Sequence, residues 1–167
     1  MAGYWDVPPI GQFDEGSCWA ACLAWWLAAV GGGRPSWTQR QAQEEYSLPP
    51  GPDGAFDPAT VVAALRGDPR LGARVSLHRA SLYSYHRLPI GDLAAMIVYR
   101  HPVIGAHMNV IFGQVGRTLW AMEPYPYPGE SGARSGALLV RSDLRLGRDH
   151  AHPTRSDAAE WAIGARA

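Results

Sequence analysis

The sequence predicts an α+β fold, because helical patterns fill roughly its first 70 residues and apolar, β-rich runs fill the remainder, without alternation between the two. A length of 167 residues suits one domain with a real hydrophobic core. We read residues 1–167 as a single domain of two lobes around a shared cleft, about 1–70 helical and about 71–167 mainly antiparallel β.

Residues 1–17 read as an irregular segment, since Val7-Pro8-Pro9-Ile10 lacks helix donors and biases its neighbours away from αR. Ser17 is placed as the N-cap of a helix from Cys18 to Val30, apolar at nearly every position and therefore buried all round. Gly31-Gly32-Gly33 ends it. Ser36 with Gln39 fits a capping box for a second helix, Trp37 to Tyr46. Residues 48–54 are a loop by composition. Asp57 as N-cap and Pro58 at the first helical position start a third helix, reaching Arg66 with Gly67 as its stop. Residues 74–80 read as a strand, 91–100 as a short helix, and Val103–Ile104, His107–Phe112, Thr118–Met122 and 137–142 as strands. Only Gly105 and Ala106 separate Ile104 from His107, which predicts one continuous strand there rather than a hairpin. The Arg/Gly/Ser-rich stretch 129–136 reads as a mobile loop, and 156–165 as a final helical turn or two.

Net charge is zero, and nothing suggests the clustered basic face of a nucleic-acid binder. All 15 basic residues are arginine, as a GC-rich bacterial genome favours. The opening residues carry no basic n-region before an apolar stretch, so no signal peptide is expected. The apolar run from Cys18 to Val30 is too short to span a bilayer. The expectation is a soluble bacterial protein, secreted or delivered into a target cell. The two cysteines, Cys18 and Cys22, lie one turn apart on one helix face. That arrangement predicts neither a disulfide nor a structural zinc site, and no metal or other cofactor is expected.

The chemistry concentrates at Cys18. A thiolate is the nucleophilic form of cysteine, and the positive end of a helix dipole favours it. A residue opening a helix also has its own N–H free to face a developing oxyanion. Gln12, six residues upstream, carries a side-chain amide able to donate beside the thiol. His107 opens an alternating apolar run, and Glu123 follows 16 residues later in "LWAMEPYP". His78, His86, His101, His150 and His152 lack that context; His101 precedes proline, and His150 and His152 sit in a charged tail.

Gln12, Cys18, Trp19 and Ala20, in the pattern Q-x5-C-W-A, followed by His107 and Glu123, resemble the signature of papain-like cysteine proteases. The resemblance covers residues 8–30 and 100–126, and it points to the bacterial effector/toxin or leader-peptidase branches. It implies a papain-like fold, with a helical lobe carrying the buried cysteine helix and an antiparallel sheet lobe. It implies peptide hydrolysis through a Cys18 thioester, His107 as acid–base, Glu123 as orienter of the imidazole, and Gln12 with the Cys18 N–H as oxyanion donors. Ser17, Trp19 and Ala106, neighbours of the reacting residues, line the substrate cleft in this reading. Bacterial members often carry Asp where Glu123 stands, and Asn109, on the face of His107, is the alternative orienter. Tyr125 is a candidate shield for the His–acid bond. The implied partners are a protein or peptide substrate and, for an effector, a cognate inhibitor or immunity protein. Two other functions are compatible with the same residues: acyl transfer to an amine, as in transglutaminases, and a non-catalytic binding module.

Overall fold

The computed structural model describes residues 3–14, 16–31, 33–49, 56–71, 94–101, 105–116, 118–125, 136–142 and 161–164. The helix expected from the apolar run is α1, Cys18–Val30, and it ends at Gly31, whose φ of +60° suits glycine and whose N–H reaches Leu27 O. Eleven of its thirteen residues are buried, including Trp19, Trp25 and Trp26, so α1 is the axis of the core. Each fully buried large side chain contributes about 1.5–3 kcal/mol. Trp25 Nε1 donates to Val7 O at 3.3 Å and Trp26 Nε1 to Ala94 O at 2.8 Å, so the indoles also satisfy their polar edges.

Helix α2 runs Gln39–Tyr46 and α3 runs Pro58–Gly67. The capping box of α2 is Thr38 with Gln41, two residues beyond the expected Ser36 with Gln39. Both pairs fit the pattern, and Trp37 decides between them: it packs edge-on against Tyr46, outside the helix. Asp57 caps α3 by accepting from Ala59 N and Thr60 N, with Pro58 in the first turn as expected.

The sheet has the order β4-β3-β2-β1-β5, from β1 (Ala95–His101), β2 (Gly105–Val115), β3 (Thr118–Glu123), β4 (Ala137–Ser142) and β5 (Trp161–Gly164), each pair antiparallel. Two sequence expectations are corrected here. Residues 95–100 of the expected helix 91–100 are strand: Ala95, Met96, Ile97 and Val98 are all buried, so both faces are covered and the period-2 signal vanishes. Residues 161–164 form β5 rather than a helical turn, paired with β1 from Val98↔Trp161 to Ala95↔Gly164, a tertiary pairing that overrides local preference. Residues on either side of 102–104 form a hairpin, with His101 opposite Gly105, and Gly105, Ala106 and His107 run on within β2. The expected strands at 74–80 and Val103–Ile104, residues 50–54 of the expected loop and 129–135 of the Arg/Gly/Ser-rich stretch lie outside the described residues.

The central strand β2 sorts its side chains by alternation. Met108 and Val110 enter the cluster built around α1, while His107, Asn109 and Ile111 take the other parity, all buried. Among the described residues, no helix is long and apolar enough to cross a membrane.

Candidate active site

Sequence local to Gly11–Cys18 builds one side of the site. Ser17 occupies the position before α1, but its side chain does not cap the helix. It turns back instead: Ser17 Oγ accepts from Phe13 N and Asp14 N, both at 3.0 Å, and its single hydrogen is shared between Asp14 O at 3.1 Å and the Gln39 amide oxygen at 3.0 Å. The expected N-cap is therefore a loop clamp, and the first turn of α1 keeps its N–H groups free of a side-chain cap. Cys18 stands at that end, with no exposed surface, and its thiol is free.

The other side of the site is carried by the sheet. His107 and Glu123, on the adjacent strands β2 and β3, meet through Nε2 and Oε1 at 2.6 Å, each about 1% exposed. The extra methylene of glutamate is absorbed at the end of β3, where Oε1 also accepts from Tyr125 N at 3.0 Å. Cys18 lies near enough to the imidazole to help raise its pKa. Since Nε2 is committed to Glu123, the ring atom that remains for sulfur is Nδ1. Burial pushes the His107 pKa down, but Glu123 and Cys18 outweigh it, and the imidazole stands raised, at about 10.

Cys22, one turn into α1, plays a different part. Its Sγ donates to Met108 O at 3.2 Å, tying α1 to the strand of His107. Burial first, then the nearby Cys18 and Glu123, push its pKa well above the usual thiol range. Nothing in the sequence signals this bond.

Gln12 is buried, and its backbone N–H donates to Pro124 O at 3.0 Å, which fastens the leading loop beside Glu123. Its side-chain nitrogen donates one hydrogen to Asp14 O at 2.7 Å, leaving a second hydrogen on the same atom. Asn109 is fully buried, and neither of its amide atoms has a hydrogen-bond partner; the imidazole partner on the sheet is Glu123. Trp19 packs edge-on against Tyr46 of α2, and Ala106 is partly buried just before His107. Tyr125 touches Glu123 by its backbone N–H. Of the competing histidines, His101 ends β1, and His78, His86, His150 and His152 lie outside the described residues. No group of three potential metal ligands occurs among the described residues.

Sequence reasoning missed Gln39, the first residue of α2. Its buried amide is oriented by its partners: the nitrogen donates to Gly11 O at 2.9 Å, and the oxygen accepts from Phe13 N at 3.1 Å and Ser17 Oγ at 3.0 Å. The reverse orientation would set oxygen against oxygen and donor against donor. In the sequence its only signal was a place in the wrong capping box.

No protein-family model matches the sequence, and no curated protein sequence matches it. Among solved structures, the fold is similar to the peptidase domain of Streptococcus ComA, a bi-functional ABC transporter involved in a quorum sensing pathway. The likeness covers 94% of this chain and 96% of that chain, with a TM-score of 0.62 and 18% sequence identity. The α+β fold expected from the sequence is thus the fold of this molecule.

Proposed function

We propose that this chain is a papain-like cysteine peptidase. The observation that carries the reading is the buried 2.6 Å contact of the His107 imidazole with the Glu123 carboxylate, with the Cys18 thiol close enough to shift the imidazole pKa. Support comes also from the likeness of nearly the whole chain to a peptidase domain. That likeness supports the leader-peptidase branch rather than the effector/toxin branch, with a peptide or protein segment as the substrate class.

The chemistry follows from the roles. Thiol proton transfer to His107 gives a thiolate–imidazolium pair, with Glu123 holding the Nε2–H tautomer. Cys18 Sγ attacks the scissile carbonyl, and its oxygen becomes an oxyanion facing the Cys18 N–H and the second Gln12 amide hydrogen. His107 protonates the departing amine, the C–N bond breaks, and a thioester remains on Cys18. Water, deprotonated by His107, then attacks the thioester and releases the acid with the regenerated thiol.

The test uses a thiol-reactive epoxide together with a search for new peptide termini. Cys18 is expected to react faster than free cysteine, with a fall of roughly 100- to 10,000-fold in His107→Ala. Wild type is expected to generate termini that Cys18→Ala does not. A Cys18 that reacts no faster than free cysteine, or equally well without His107, overturns the reading. Products carrying an amide instead of a free carboxyl would reassign the chain to acyl transfer.

A further inference from the structure

We propose that Gln39 is a positioning residue for catalysis, which fixes the oxyanion side of the cleft by holding the backbone on both sides of Gln12. The proposal rests on the peptidase reading above, and it concerns a residue on a different element, α2, that does not touch the reacting atoms.

The geometry is that of a borrowed strand. In extended backbone, the C=O of one residue and the N–H of the residue two further on point to the same side. Gly11 O and Phe13 N stand in that relation about Gln12, and the Gln39 amide answers both, donating to the first at 2.9 Å and accepting from the second at 3.1 Å. The Gln12 N–H points the other way and donates to Pro124 O at 3.0 Å. Gln12 is therefore held from two sides, by the chain just after Glu123 and by the first turn of α2. The Gln39 oxygen also accepts from Ser17 Oγ at 3.0 Å, so the same amide reaches the residue before the nucleophile.

The alternative for a buried glutamine is that it merely satisfies itself in the core. Three features argue for more. Gln39 is 3% exposed, so its amide competes with no water. All of its partners lie within residues 11–17, the segment joining Gln12 to Cys18. The described residues of that segment form no helix or strand, so their conformation depends on such side-chain bonds. A displacement of about 1 Å in an oxyanion donor is enough to lower a rate by roughly 100-fold.

The experiment separates the oxyanion side from the thiol. Acylation of Cys18 by p-nitrophenyl acetate passes through an oxyanion, whereas alkylation by iodoacetamide does not. Gln39→Met keeps the volume and removes the three bonds. Expected is an acylation rate about 10- to 100-fold below wild type, with alkylation within about twofold. In a Gln12→Ala background the same substitution is expected to have less than about a threefold effect, because the donor it positions is gone. Gln39→Glu, which keeps the acceptor for Phe13 N and loses the donor to Gly11 O, is expected to fall between. Wild-type acylation rates in Gln39→Met, an equal loss of acylation and alkylation, or an undiminished effect without Gln12 each overturn the proposal. Failure of the peptidase reading looks different: wild type itself would then show no acylation dependent on Cys18 and His107.

Discussion

The two halves of the site are held by different kinds of structure. His107 and Glu123 stand on β2 and β3, and β2 is paired on both sides, so their 2.6 Å contact is fixed by backbone ladders that do not depend on which side chains occupy them. Gln12 and the approach to Cys18 lie in a segment without a ladder, held by Ser17 Oγ, the Gln39 amide and one bond to Pro124 O. The sheet-borne half should therefore respond to changes in charge, and the loop-borne half to the loss of single polar atoms or to steric intrusion far from the chemistry.

The largest effect is expected on the sheet side, from Glu123→Gln. The amide oxygen still accepts from His107 and Tyr125, so the geometry survives while the charge does not. Peptidase activity should fall on the order of 100-fold, and its alkaline limb should move toward lower pH, since Glu123 is a main cause of the raised His107 pKa. Stability follows the same sign. His107 binds its proton more tightly folded, at about 10, than at its ordinary value of 6.5. Its contribution is thus fully present below pH 6.5 and disappears as pH rises toward 10. The melting-temperature gap between wild type and Glu123→Gln should be widest near the acid end of that window and narrow across it. A gap that widens with rising pH would contradict the pairing.

The same contrast explains what was legible in the sequence. Cys18, His107 and Glu123 were readable because each sits on a regular element, and alternation with spacing places residues on such elements. The 16-residue interval from His107 to Glu123 is two antiparallel strands and a turn, and the register brings both to one parity. The N-cap role given to Ser17 failed because its hydroxyl had a nearer set of partners, the Phe13 and Asp14 N–H groups, which only the folded loop presents. Gln39 was invisible as a clamp because its partners lie more than 20 residues away in sequence. β1 was misread because strands covered on both faces lose the alternation that marks a strand.

A smaller effect, on the loop side, is expected from Gly136→Ala. Gly136 precedes β4 with φ of +67°, and a Cβ there would lie 2.7 Å from Ile10 C and 2.9 Å from Gly11 N. The strained backbone and the push on the leading loop should together cost about 1–3 kcal/mol, read from chemical denaturation. Because the push falls on the residue before Gln12, acylation by p-nitrophenyl acetate should drop more than iodoacetamide alkylation does. Equal drops would mean that the loop transmits strain into the thiol–imidazole contact, and the two halves would not be separable.

The smallest effect should come from a bond that ties the Cys18 helix to the sheet. Cys22 Sγ on α1 donates to Met108 O on β2, the residue after His107. Cys22→Ala removes that bond and a little buried surface, a loss of about 1–2 kcal/mol in denaturation. The catalytic contact should survive, because the helix and the strand are also joined by the packing of Trp25, Leu23, Met108 and Val110 in one cluster. Alkylation supplies an independent check. Burial, with Cys18 and Glu123 beside it, keeps Cys22 a neutral thiol, so at pH 8 the folded wild type should take up iodoacetamide at Cys18 alone, as should Cys22→Ala. Labelling of Cys22 in folded wild type would show that α1 detaches from β2 in solution, and with it the division between a ladder-held and a loop-held half.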